Sequence, residues 1–224
     1  MIPLAPSAGA RIPHRAVAPA NPLLWDTLLS APAWTISSAG ARGQIGLRPA
    51  GPNGWGAVGK AFKSTGKWYF EVLASANTTA SAPTEAVFGL VDSTWIADAR
   101  TAMHTVTNAW ALARDGVAWH NSASNTPDIN LPLYNSTPSV IMVALDLDAH
   151  KVWFGRAGVW PTYSSVVANP ATGVLPALSS LAGSISIGAV GNATVDNQLD
   201  FRIRSFLADF THTPPSGFLP WDNV

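Results

Sequence analysis

Residues 140–160 read VIMVALDLDAHKVWFGRAGVW. An apolar run, an Asp-marked break, a second run with a Trp-Phe pair and a glycine-centred turn carrying another tryptophan make the pattern of an antiparallel hairpin. Upstream, GKWYFEV at 66–72 alternates, with Trp68, Phe70, Val72 and Ala74 on one face and Tyr69, Glu71 and Leu73 on the other. Trp68 and Phe70 are expected to anchor one sheet. Further strands are predicted at 44–48, 86–92, 110–114, 117–120, 140–147, 151–155, 184–190 and 199–206. No helix of convincing length appears between them.

Asp115-Gly116, between WALAR and VAWHN, is the strongest local hairpin signal, because a type I′ turn needs positive φ and glycine supplies it. Short strands separated by Gly, Pro, Asn and Ser point to an antiparallel all-β sandwich of two sheets, not to alternating βαβ units. At 224 residues the chain suits one such domain with a sizeable core.

Charged residues make up 12% of the chain and hydrophobic ones 47%, so its surface is expected to be built largely from small uncharged residues. Thirteen basic and thirteen acidic residues cancel, and no Lys/Arg run exists to hold a phosphate backbone, so nucleic acid is not an expected partner. The chain has no cysteine, which excludes disulfides and thiolate metal sites. Residues 1–22, MIPLAPSAGARIPHRAVAPANP, are broken by proline too often to form a signal-peptide core. No apolar run approaches the roughly 18 residues of a membrane span, so membrane insertion is not expected.

Taken in order, LLWDTLLSAPAWTISSAG, GWGAVGKAFKSTGKWYFEV, FGLVDS at 88–93, WALARDGVAWHN at 110–121, the 140–160 hairpin, NPATG at 169–173 and the closing PPSGFLPW at 214–221 resemble the SPRY family. The resemblance covers 23–221. Phe70 stands where that pattern often has Trp, Pro138-Ser139 where it usually has Gly-Asp, and Ala157-Gly158 where it usually has Asn-Gly. It implies a concanavalin A-like jelly roll, here residues 23–224, that binds partners through loops at one end. The family includes a branch found in bacteriophage virion proteins. In that setting the Pro/Ala-rich arm of 1–22 is expected to anchor the chain to neighbouring virion proteins through Ile2, Leu4, Ile12 and Val17. A homo-oligomer on the surface of a phage head or tail is expected.

Long connections at 76–86, 93–108 and 121–139 carry the polar and aromatic residues suited to recognition. They nominate Trp95, Arg100, His104, His120, Asn121 and Tyr134, joined by Trp160 and Tyr163 as loop aromatics that stack on sugar rings or fill protein pockets. Trp25, Trp34, Trp55, Trp68, Trp110, Trp119 and Trp153 lie in strand-like patterns and are assigned to the core. Asp146, Asp148 and His150 could be read as metal ligands, but turn chemistry explains them better, and no metal or cofactor is expected. Glu71 and Glu85 are the two glutamates of the chain, and no G-x-S-x-G, H-E-x-x-H or phosphate-cradling loop is present, so no catalytic residue is assigned and no enzyme is expected. The function expected is a fibre or decoration component whose loops bind a host-surface glycan or protein. Two alternatives stand beside it: a purely structural connector subunit, and a cellular adapter that binds a short peptide.

Overall fold

Alternating and β-branched sequence produces strands throughout. The computed structural model describes residues 23–26, 34–45, 55–77, 86–95, 103–113, 115–125, 138–191 and 198–222. In chain order the strands are β1 (Trp34–Ser37), β2 (Arg42–Ile45), β3 (Trp55–Val58), β4 (Lys67–Asn77), β5 (Ala86–Asp92), β6 (Ala109–Ala113), β7 (Ala118–His120) and β8 (Ala123–Asn125). They continue with β9 (Ser139–Asp146), β10 (Lys151–Arg156), β11 (Thr162–Tyr163), β12 (Val166–Val167), β13 (Leu178–Ser179), β14 (Ile185–Gly191), β15 (Gln198–Arg204) and β16 (Leu219–Pro220). The helical turns among the described residues are short 3₁₀ pieces.

The first sheet runs β1-β2-β15-β4-β9-β10-β13, and the second runs β3-β14-β5-β6-β7-β8. Among the described residues all pairing is antiparallel except that β16 runs parallel to β4 at Trp68 and Tyr69, below the point where β15 leaves it. The fold is therefore an all-β sandwich of two large sheets, as expected. Predicted strands agree closely at β5, β9, β10, β14 and β15. The strand expected at 44–48 instead begins at Arg42, and residues 46–50 lie outside the described residues.

Between the sheets, Phe70 and Val72 of β4, Ile141, Val143 and Leu145 of β9 and Phe201 of β15 meet Phe88, Leu90, Trp110, Leu112 and Ile187 from the second sheet. Phe88 crosses the layer to Phe154 at 6.2 Å and Phe201 at 5.7 Å between ring centroids, within the range of favourable aromatic pairs. Both outer faces are covered as well. On the first sheet Tyr69, Met142, Ala144 and Trp153 lie beneath Phe210 and Phe218, and on the second Val87, Val91, Ala109 and Ala111 lie beneath Trp95 and Met103. Strands buried on both faces need few charges, and most of the exposed residues among those described are small and uncharged, so both features account for the low charge content.

Turns explain several sequence signals. Gly116 donates its N–H to the Ala113 carbonyl at 3.0 Å and has φ +95°, while Ala113 N–H donates to the Val117 carbonyl at 2.9 Å. This is a glycine-bulge hairpin in place of the predicted two-residue type I′ turn. Ala157 and Gly158 both take positive φ, so the Ala-Gly pair keeps the turn that Asn-Gly would make. Asp146 Oδ1 accepts the Ala149 N–H at 2.9 Å, Asp148 Oδ1 accepts the Gly66 N–H at 3.0 Å, and His150 Nδ1 lies 2.7 Å from the Leu181 carbonyl. Each member of the D-x-D-x-H string thus has a turn-holding partner. Asp146 is also buried, with Lys67 Nζ at 2.8 Å from its second oxygen.

The two ends of the sandwich domain are joined. Asp222 receives the Leu23 N–H on both carboxylate oxygens, at 2.9 and 3.1 Å. Burial raises the Asp222 pKa above its ordinary value, while Ser205, the Leu23 N–H and Lys63 hold it down in part. Residues 1–22, with Ile2, Leu4, Ile12 and Val17, lie outside the described residues.

On the first sheet's surface Asp200 accepts hydrogen bonds from Arg42 Nε at 2.9 Å and Nη2 at 2.6 Å, with Arg202 3.5 Å away. Burial opposes ionisation of this carboxyl, but the two arginines prevail and hold it below its ordinary 3.8. A depressed carboxylate stabilises the fold above its unfolded pKa and loses that contribution as pH falls through the folded one. The urea midpoint of Asp200→Asn should therefore lie below wild type at neutral pH, and the gap should close as pH drops below 3.8. A gap that stays constant with pH would rule the ion pair out as its source.

Candidate functional site

The β7–β8 hairpin turns at Asn121 and Ser122, both at positive φ (+51° and +62°), with His120 paired to Ala123. Asparagine suits the first left-handed position of such a turn, so HNSA at 120–123 was a readable hairpin signal in a segment taken as a long loop. The turn is tied down from outside the hairpin. Asn121 N–H donates to the Val106 carbonyl at 3.2 Å and Ser122 N–H to the His104 carbonyl at 2.8 Å.

Strand alternation places consecutive residues here on opposite faces. Trp119 belongs to the outer layer and meets the edge of the His104 ring at 6.0 Å between centroids. Burial lowers the pKa of His104 from its ordinary 6.5, which keeps it neutral at physiological pH. His120 lies on the inner side, stacked on Trp110 with centroids 5.1 Å apart and planes 5° from parallel. Its Nδ1 is 2.9 Å from the Ala109 carbonyl, and a carbonyl can only accept, so Nδ1 carries the hydrogen. In the neutral ring Nε2 is then a free acceptor.

His120 opens on a groove at the side of the sandwich, where the edge strands β8 and β13 face each other across the gap between the sheets. Its lining is His120, Ala123, Ser124, Leu178, Ser179 and Ser180, around about 210 Å³. That is short of the roughly 300–1,000 Å³ of pockets that enclose a small-molecule ligand, and it suits one inserted side chain. A second cavity of about 270 Å³ beside Leu24, Trp25, Ile36 and Lys60 includes none of the residues nominated from sequence.

The nominated residues divide. His104, His120 and Asn121 come together at one hairpin, although the two rings lie on opposite sides of the sheet. Trp95 is fully buried, which corrects its assignment as an exposed loop aromatic. Asp92 Oδ1 accepts the Thr94 N–H at 2.7 Å and the Trp95 N–H at 3.2 Å, and the resulting tight turn folds the indole back over the second sheet's outer face. Trp160 is half-buried against the first sheet's outer layer, and Tyr163 is exposed in β11, so neither joins this hairpin. Arg100 and Tyr134 fall outside the described residues. Among the assigned core tryptophans, Trp25, Trp110 and Trp153 are buried and Trp68 and Trp119 are partly buried.

Sequence reading missed Ser124, Leu178, Ser179 and Ser180. Their role depends on two edge strands from different sheets meeting, which no local pattern records. Among the described residues no group of three His, Asp or Glu side chains is placed to hold a metal ion, and no helix is long and apolar enough to cross a membrane.

No family model matches the sequence, and no curated protein matches it. Solved structures do match. The SPRY domain of human HERC1 aligns with a TM-score of 0.59 at 12% identity, over 80% of this chain and 96% of that one. The TRIM65 PSpry domain aligns with a TM-score of 0.54 at 16% identity, over 81% and 91%. Stonustoxin aligns with a TM-score of 0.51 at 13% identity, over 81% of this chain and 26% of that longer one. The chain has the SPRY fold, a concanavalin-like β-sandwich.

Proposed function

We propose that the domain is a non-catalytic binding module that grips a protein partner by one side chain inserted between β8 and β13. The observation that carries this reading is His120, whose ring is clamped on Trp110 and whose Nδ1 is committed to a backbone carbonyl. In the neutral ring that leaves Nε2 as the remaining acceptor of a side chain that lines the groove. The partner side chain it fits has an apolar body for Leu178 and Ala123 and an N–H or O–H tip, as tyrosine and tryptophan do. The likeness to SPRY domains supports binding over catalysis. The setting carried forward from the sequence resemblance is a virion surface, in head or tail, with residues 1–22 as the anchor to neighbouring virion proteins.

The test probes a peptide array and a glycan array with the full-length protein beside His120→Leu, which keeps an apolar group on Trp110. Peptides bearing Tyr or Trp should bind, and the variant should bind them about tenfold more weakly, the effect of about 1.4 kcal/mol for a lost hydrogen bond. The variant should stay folded but lose about 0.5–1.5 kcal/mol of stability, because the Nδ1–H bond to the Ala109 carbonyl goes with the ring. Binding confined to glycans, or peptide binding untouched by the substitution, would overturn the reading. No binding on either array would favour a subunit that touches only its neighbours in an assembly.

A further inference from the structure

From Ala157 to Val195 the sequence contains no Asp, Glu, Lys, Arg or His. The first part of this stretch leaves the first sheet after β10 and returns at β13, and on the way it forms a separate two-stranded ribbon, β11 with β12. Thr162 pairs with Val167 and Tyr163 with Val166, across a turn whose Ser164 and Ser165 both take positive φ. The ribbon stands out from the body: Tyr163 is 47% exposed, Val166 47% and Val167 57%, with Val159 at 63% and Val174 at 37% nearby. These are five of the seven large hydrophobic side chains that are exposed among the described residues. They form the main apolar surface that neither sheet uses.

Proteins commonly protect an exposed strand edge with a charge or a proline on the edge, or with a covering segment. Here the ribbon itself carries no charge; Arg156, paired with Val159, and Lys151, whose Nζ lies 3.5 Å from the Gly173 carbonyl, stand at the margin of the patch, and the outer edges of β11 and β12 pair with nothing among the described residues. We infer that this ribbon is a self-association surface, which a second copy of the chain covers by pairing edge to edge about a two-fold axis.

Two observations select a second copy. An antiparallel strand edge is its own complement, because its outward N–H and C=O groups meet the same groups of a copy rotated by a half turn. The charge pattern agrees, since two uncharged ribbons meet along their edges without burying a charge, while the two cations that flank the patch, Lys151 and Arg156, stay at its rim. The formal net charge of zero removes long-range repulsion between copies. Five side chains make the centre of an interface below the standard size, so a dimer of about micromolar dissociation constant is expected. The ribbon is on a different layer from the groove at His120, so this inference does not depend on the binding role proposed there.

The chain's lack of cysteine makes the test direct. Val167→Cys introduces a single thiol at the ribbon edge, and Leu207→Cys introduces one at a residue that is 64% exposed elsewhere. Under mild oxidation Val167→Cys should give a disulfide-linked dimer at micromolar protein, because paired edge residues lie within the 4.4–6.8 Å Cα separation that a disulfide spans. Leu207→Cys should stay largely monomeric. In sedimentation velocity the full-length protein should move from 23.5 kDa toward twice that mass as concentration rises. Val166→Lys with Val167→Lys should hold it monomeric with an unchanged melting temperature. Equal cross-linking of the two cysteine variants, a wild type that is monomeric at every concentration, or a dimer that survives both lysines would each overturn the inference.

Discussion

Glu71→Ala should lower the stability of the fold by about 3–5 kcal/mol, the range for removing one partner from a buried, hydrogen-bonded charge. Glu71 is fully buried on the outer side of β4. Its Oε1 accepts the Tyr69 hydroxyl at 2.9 Å and the His212 N–H at 2.8 Å, and its Oε2 accepts the Thr211 N–H at 2.7 Å. Arg204 Nη1 lies 3.8 Å away. Burial first, and the neighbouring carboxylate second, push the Tyr69 phenol well above its ordinary pKa, so it stays a donor at every working pH. Alanine would strip the acceptor from two backbone amides and one hydroxyl at once, and a buried donor without a partner costs about 1–3 kcal/mol.

The loss should also be local. Thr211 and His212 belong to the stretch that lays Phe210 on Tyr69, edge to face at 4.9 Å, and Phe218 against Trp153. Their amides should exchange with solvent faster in Glu71→Ala than those of β14. Glu71→Gln should fall between, because its NH₂ would face an N–H donor while its oxygen keeps the other contacts. Urea unfolding of the three proteins decides the matter, and a loss below about 1 kcal/mol for alanine would show that water replaces the carboxylate at little cost.

Glu71 also shows how far the sequence could be read. Alternation placed Phe70 and Val72 on the core face of β4 and Tyr69 and Glu71 on the other, and the structure agrees. What alternation could not show is that the other face is covered too. The covering segment, 205–222, has little strand and no periodicity, and it meets β4 some 140 residues from where it lies in the chain. Trp95 was misplaced for a related reason: DSTW signals a turn, but only the folded sheet shows which layer the turn returns to. The groove is the extreme case. His120 and Asn121 were found from residue type, whereas Leu178, Ser179 and Ser180 become partners only when the edges of two sheets converge. Short-range patterns thus specified the strands and the inner layer, and long-range contacts decided the outer layers and the site.

Gly89→Ala should cost at least about 4 kcal/mol, among the largest effects of any single methyl group in this chain. A Cβ built at Gly89 would lie 2.1 Å from the Trp110 carbonyl oxygen and 2.9 Å from the Ala111 Cα. Both are backbone atoms of β6, so no side-chain rotation can relieve the clash. β5 is held between β14 and β6, in register with Gly188 on one side and Ala111 on the other, so it cannot shift without breaking a ladder. Gly188 supplies the control. Its added Cβ would also be crowded, but by the Val91 side chain at 2.6 Å, which can turn or shift, so Gly188→Ala should cost about 1–3 kcal/mol. Equal losses in the two variants, measured by urea unfolding, would remove backbone contact as the explanation. The difference matters for function because β6 carries both Trp110 and, through β7, the ring stacked on it. A Gly89→Ala chain that still folds must move β6 relative to β5, and with it the platform under His120. Its peptide affinity should then fall more than that of Gly188→Ala, although neither residue lines the groove.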